Sequence, residues 1–337
     1  MGDELFADVD IRAWLTVFNR TNDQHVPIVL SGMGSLGLFD ELAQLIKRSF
    51  VYYVPFVFLV DGRAFVSMMS PNLWLFGEKV ADTAHELTIF APLIENAKTV
   101  HVADIPTIEF ARMSIMAMLA TRVSLMNELA RLASTTQVDI THISQIMGLD
   151  SRIGGSYLKA GAGFGGQTLP NEMAYLADSF GAAGVDSVIL SAVNGLNLDQ
   201  KELMFRKFWQ YFDGFVDGGV VSVWGGGYKA GSGRTANSAV HVLLDMLWSY
   251  DIQTVVSAGE ANDELARLYA GKARLMISDD PYTGLNKSKA LFVLNAERID
   301  IHRLNEYALP IFDLGNVLTR QQIQGLTGAY YGVGRNK

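Results

Sequence analysis

The chain has 337 residues, 49% of them apolar and 18% charged, which is room for two or three domains with real cores and too apolar for a disordered chain. A net charge of -8 and a pI near 5.3 argue against a nucleic-acid partner, which needs a clustered basic face. Cysteine is absent, so disulfides, thiolate metal ligands and thiol nucleophiles are excluded together.

The N-terminal stretch MGDELFADVD is acidic and shows no basic segment followed by an apolar run, so a cytoplasmic protein is expected. Residues 8–100 alternate helix-like and strand-like segments, beginning with DVDIRAWLTVFNR and VPIVLSG, which predicts a mostly parallel sheet with helices on its faces. The most apolar run, FVYYVPFVFLV at 50–60, holds a proline and falls short of the ~20 residues that span a bilayer, so it reads as buried strand and no membrane segment is expected. Residues 107–135 predict one helix about 43 Å long. Met113, Met116, Met118, Leu125 and their neighbours make it apolar almost all round, so it needs cover on every side.

Helices follow over 137–148, 171–183 and 186–210. From 220 the pattern turns to strand, glycine turn and helix, with further strands at IQTVVSA, ALFVLNA and PIFDLGN, and a second α/β domain is expected. The division is 1–104, 105–213 and 214–337, without internal repeat or low-complexity tract.

Two glycine-rich stretches are candidate binding surfaces. WGGGYKAGSG at 224–233 places Gly225, Gly227 and Ala230 in a G-x-G-x-x-A spacing after a strand, and Lys229 offers a cation for phosphate; the alternative is a structural tight turn. RIGGSYLKAGAGFGGQTLPNE at 152–172 lets backbone amides approach a ligand; the alternative is a tight inter-domain loop. Asp279 and Asp280 fit a turn before proline better than an acid/base pair. The six histidines show no i,i+3 or i,i+4 pair, so no metal site is expected, and His142 and His241 read as packing or surface residues.

EFARMSIMAMLATRVSLMNELARLA, SRIGGSYLKAGAGFGGQTLPNE and LNLDQK together resemble the central region of the UDP-glucose/GDP-mannose dehydrogenase family. Flanking blocks extend the resemblance over nearly the whole chain: SPNLWLFGEK is similar to the end of the family's cofactor domain, and VVSVWGGGYKAGSG and YYGVGR to its nucleotide-sugar domain. The resemblance implies a partial Rossmann-like N-terminal sheet, a central long-helix dimerisation region and a C-terminal Rossmann-like domain that binds a UDP- or GDP-sugar. It also implies oxidation of a sugar alcohol by NAD through an active cysteine, yet that cysteine falls on Thr168. The family's lysine and asparagine fall on Arg112 and Met116, and its glutamate on Val57, or on Phe56 with another gap placement. Its aspartate survives as Glu172, and the sugar-contacting arginine becomes Ala236. The family opens with a dinucleotide turn, whereas this sequence begins at a point resembling the later part of that domain, so NAD binding is expected to be lost. Tyr157, Leu158, Lys159, Phe164, Gly165 and Gly166 match the loop that wraps the sugar nucleotide.

These substitutions point to a pseudoenzyme that acts by binding, as a dimeric scaffold, a partner subunit or a nucleotide-sugar sensor in polysaccharide metabolism. No catalytic residue, cofactor or metal is then expected. A homodimer through the central helix is implied, with a partner covering an open sheet edge near VYYVPFVFLV. The alternative is altered, NAD-independent chemistry with Glu172 as acid or base and Arg112 holding a charged substrate; Arg112 also has Glu109 within pairing reach on its own helix. A shaped pocket with a carboxylate in reach favours chemistry, and one filled by Met116 and Phe56 favours binding alone.

Overall fold

The structure is a computed structural model that describes residues 13, 15, 19–20, 26–57, 59, 64–136, 138–214, 218–296 and 299–335. The helix-like segment expected over 8–20 lies largely outside the described residues, as do residues 58 and 60 of the apolar run at 50–60. The chain forms two compact units: residues 1–116 with 171–186, and residues 117–170 with 187–337. The stretch 105–213 therefore contributes to both units.

The first unit is built on strands β1 (Ile28–Leu30), β2 (Val51–Tyr53), β3 (Trp74–Glu78) and β4 (Val100–Asp104), in that spatial order. Helix α1 (Leu38–Leu45) links β1 to β2, and the short helices α2 (Ala64–Met69) and α3 (Ala91–Ile94) follow. The β1/β2 and β3/β4 pairs are parallel, while β2 and β3 run antiparallel, so this sheet is mixed. Strand residues alternate between faces. Tyr53 stacks on Phe39 of α1 at 4.2 Å between ring centres, whereas Tyr52 joins the opposite layer with Trp74 and Phe76.

The open sheet edge expected near VYYVPFVFLV does not lie at β2, which pairs with β1 on one side and β3 on the other and whose residues are completely buried. A strand flanked by neighbours on both edges and by a core on both faces reads as a continuous apolar run for that reason. Exposed apolar side chains sit instead on the edge strand β4, at Val100 and Val102.

Helix α4 (Ile105–Thr135) is the predicted long helix and runs without interruption through 31 residues. Along it Met118, Leu125 and Leu132 recur every seven residues and are exposed, Leu132 by 65%, so the described residues do not supply the cover that an apolar helix demands. Helices α5 (Ile140–Leu149), α6 (Thr168–Ala182) and α7 (Val188–Tyr211) follow.

The second unit carries a six-stranded sheet in the order β10-β9-β8-β5-β6-β7, formed by β5 (Val220–Trp224), β6 (Gln253–Ser257), β7 (Leu275–Ile277), β8 (Ser288–Val293), β9 (Ile311–Asp313) and β10 (Tyr330–Gly332). Every described pairing in it is parallel. Helices α8 (Ala239–Ser249), α9 (Asn262–Leu268), α10 (Ile301–Asn305) and α11 (Arg320–Gln324) connect the strands. After β5 the chain builds β6 and β7 on one side and then crosses to β8 on the other. That reversal opens a crevice beyond the carboxyl ends of β5 and β8, where ligands of doubly wound sheets bind.

Candidate functional site

A cavity of about 470 Å³ lies at this crevice, walled by segments 159–165, 227–230, 237–239 and 294–296 with Gly315 and Val317. Two of these segments continue directly from the carboxyl ends of β5 and β8. Lys159 and Lys229 supply positive charge, and among the described residues no carboxylate belongs to the wall. Asn237, Ser238 and Ala239 add the amino end of α8, where Ser238 caps the helix by accepting from the Val240 N–H. A helix amino terminus beside two ammonium groups favours an anion.

The glycine-rich wall is fixed from behind by side-chain amides. Asn127 of α4 accepts from the Gly161 N–H at 2.8 Å, and Gln200 of α7 donates to the Gly161 carbonyl at 2.8 Å. Asn197 brackets Phe164, accepting from its N–H at 2.7 Å and donating to its carbonyl at 3.1 Å. From the other side Asn237 donates to the Gly166 carbonyl at 2.9 Å, and the Gly166 N–H donates to the Ala236 carbonyl at 2.8 Å. Glycine is required where the two segments meet, because a Cβ on Gly165 would lie 2.8 Å from the Asn237 carbonyl oxygen.

Of the residues singled out from sequence, Lys159, Phe164, Gly165 and Lys229 line the cavity, as do Gly227 and Ala230 of the glycine turn. Tyr157, Leu158 and Gly166 do not. Leu158 is buried in the core with Met126 and Met204, Tyr157 is half exposed in a left-handed turn, and Gly166 lies under the Tyr228 ring. Asn237, Ser238 and Asn295 were not anticipated. The available signals were the Asn-Ser step before an apolar helical run and the Asn closing an apolar strand.

The positions matched to the family's chemistry lie in the first unit, apart from Thr168, an exposed residue that opens α6. Arg112 of α4 is 2% exposed and Glu172 of α6 is 1% exposed; Nη1 and Oε1 are 2.9 Å apart. Arg112 also donates to the carbonyls of Gly32 at 2.9 Å and Gly34 at 3.0 Å, in the turn after β1. The Tyr53 hydroxyl donates to the Gly32 carbonyl at 3.1 Å. Glu109, the partner considered for Arg112 from sequence, is occupied by the Phe39 N–H at 2.8 Å. Burial pushes the Glu172 carboxyl up to about 7 even though Arg112 pulls it down, and burial raises Glu109 and Tyr53 as well. Two buried carboxyls around one guanidinium are short of positive charge, and retaining a proton is the cheaper outcome. Met116 is buried and Val57 packs against the core that holds Phe39, Tyr53 and Ile108, and neither side chain carries a polar group.

A doubly wound parallel sheet, a second α/β unit and one long helix define a Rossmann-like α/β architecture. The profile described as UDP-glucose/GDP-mannose dehydrogenase family, central domain, matches residues 107–199, and through that domain the chain belongs to this family. The UDP-glucose 6-dehydrogenase of Pseudomonas aeruginosa is 32% identical over 241 residues, covering 70% of this chain and 53% of the relative. That of Rickettsia bellii is 28% identical over 288 residues, covering 82% of the chain and 65% of the relative. The chain thus spans between half and two thirds of the length of these relatives. Among solved structures, a UDP-glucose dehydrogenase from the hyperthermophilic archaeon Pyrobaculum islandicum superimposes with a TM-score of 0.84 at 19% identity, covering 97% of this chain and 74% of the other. A UDP-D-ManNAc dehydrogenase from Pyrococcus horikoshii gives 0.77 at 15% identity, covering 97% and 77%. At such identities the likeness speaks for the fold. Among the described residues, no helix is long and apolar enough to cross a membrane and no acid or histidine cluster could hold a metal ion.

Proposed function

We propose that this chain binds a UDP- or GDP-sugar without oxidising it, as a catalytically silent relative of the nucleotide-sugar dehydrogenases. The observation that carries the reading is a cavity whose described wall offers two lysines and a helix amino end but no carboxylate. The residue matched to the family's nucleophile is Thr168, whose hydroxyl is not the ionised, polarisable group that covalent capture of an aldehyde needs. Glu172, the acid or base of the altered-chemistry alternative, is sequestered by Arg112 and does not line the cavity, so nothing favours that alternative.

The test is calorimetric titration of the protein with UDP-glucose, UDP-glucuronate, GDP-mannose and NAD, each alone, together with an assay for NADH formation. One sugar nucleotide is expected to bind with micromolar affinity, about 8 kcal/mol, and NAD is not. NADH production from any of these sugars overturns the reading, as does failure of all three to bind.

The same reading includes a homodimer through α4 in cytoplasmic polysaccharide or sugar-nucleotide metabolism, with β4 as the surface open to a partner protein. Support for the dimer comes from the exposed seven-residue repeat of Met118, Leu125 and Leu132. Leu125→Glu is expected to convert a dimer into a monomer in sedimentation velocity at micromolar concentration. A wild-type protein that sediments as a monomer refutes the dimer.

A further inference from the structure

His241 lies outside the cavity wall, on the first turn of α8, and its two ring nitrogens face different partners. Nε2 is 2.9 Å from the Thr235 carbonyl oxygen, and Nδ1 is 2.7 Å from the Tyr269 hydroxyl. A carbonyl can only accept, so Nε2 carries the hydrogen; in the neutral ring Nδ1 therefore accepts from Tyr269. Burial lowers the affinity of His241 for a second proton and raises the Tyr269 phenol to about 12, which keeps this arrangement of donors. The other charged groups around the imidazole are Lys201 of α7, Asp245 of α8 and Glu264 of α9.

Thr235 is fully buried and held at three points. Its carbonyl accepts from the Ser238 N–H at 2.8 Å as well as from His241, and its hydroxyl donates to Glu264 at 3.0 Å. The turn so fixed contains Ala236 and Asn237, the two residues that bond both backbone groups of Gly166, and ends in Asn237 and Ser238 of the cavity wall. One ring thereby joins the body of the second unit to the place where its two ligand-facing segments touch.

We propose that His241 is a positioning residue for the cavity: its Nε2–H holds the Thr235 carbonyl, and through the 235–238 turn it sets Asn237, Ser238 and the Gly165–Gly166 step in place for an anionic sugar nucleotide. This rests on the function proposed above for the same cavity. The hydrogen bond to Thr235 keeps its donor whether the ring is neutral or charged, so the anchor is insensitive to pH and depends only on a donor at the Nε2 position.

Two substitutions separate this role from simple packing. His241→Gln places an amide N–H where Nε2 stood, and His241→Asn places its amide at the Nδ1 position, within reach of Tyr269 but short of Thr235. In calorimetric titration with UDP-glucose and GDP-mannose, His241→Gln is expected to bind within about threefold of the wild type and His241→Asn at least tenfold more weakly, a difference of about 1.4 kcal/mol. Equal affinities in the two variants overturn the inference. Amide hydrogen exchange of the ligand-free proteins reads the same anchor if the wild type binds no sugar nucleotide and the functional reading fails. The Gly166 and Ser238 amides are then expected to exchange at least tenfold faster in His241→Asn than in His241→Gln, with β5 unchanged; equal rates overturn the inference.

Discussion

Gly225→Ala is expected to destabilise the protein by about 3 kcal/mol or more, from left-handed backbone strain added to overpacking, and to abolish sugar-nucleotide binding. Gly225 follows the last residue of β5 and has φ +88°, a conformation that side chains with a Cβ resist. A Cβ there would lie 2.2 to 2.6 Å from Asn295, against its side-chain oxygen, its carbonyl oxygen and its amide nitrogen. Two of those atoms are backbone and cannot turn away. Asn295 lines the cavity and donates to the Gly227 carbonyl at 2.6 Å, so displacing it moves two walls together. Gly155 is the control: its φ is not positive and a methyl group on its Cα would meet no atom within 4 Å, so Gly155→Ala is expected to be neutral or slightly stabilising. Urea unfolding followed by tryptophan fluorescence measures both. Equal effects of the two substitutions would contradict the geometric account.

Glu172 is expected to make the wild type less stable as pH rises, relative to Glu172→Gln, by up to about 3 kcal/mol between pH 4.5 and 8. The folded-state value, about 7, lies above the ordinary carboxyl value of 4.5, so the native protein holds the proton more tightly than the unfolded chain does. A raised group of this kind contributes stability that is fully present below 4.5 and is lost as pH rises through 7. Asp139 works in the opposite direction, because hydrogen bonds from Thr141 and the charge of Arg335 hold its carboxyl below the usual range. The difference between wild type and variant removes such contributions. Unfolding free energies in urea at pH 5, 6, 7 and 8 measure it, and a difference that is flat across this range would show that Glu172 is ionised throughout.

Much of the framework was legible in the chain itself. A helix of 31 residues was expected within two residues of its length, because apolar residues on nearly every face have no other regular arrangement. The parallel sheet of the second unit followed from apolar strands separated by helical stretches, and the glycine turn at 224–233 lies where such a sheet reverses. The antiparallel step between β2 and β3 was not visible, since pairing direction depends on which strands become neighbours and leaves no mark on alternation.

Side-chain chemistry was likewise legible in the sequence: it holds no cysteine, so none of its residues offers a thiol nucleophile. What those residues touch was decided only by tertiary structure. Arg112 and Glu172 are 60 positions apart, and pattern reading offered the nearer Glu109, but folding brings α4 and α6 together and turns Glu109 toward α1. From the sequence His241 reads as a packing or surface histidine, and only the fold sets its ring between Thr235 and Tyr269. Periodicity records which faces are buried; a hydrogen-bond partner is fixed by distances of about 3 Å between segments far apart in the chain, and only the packed fold sets those distances.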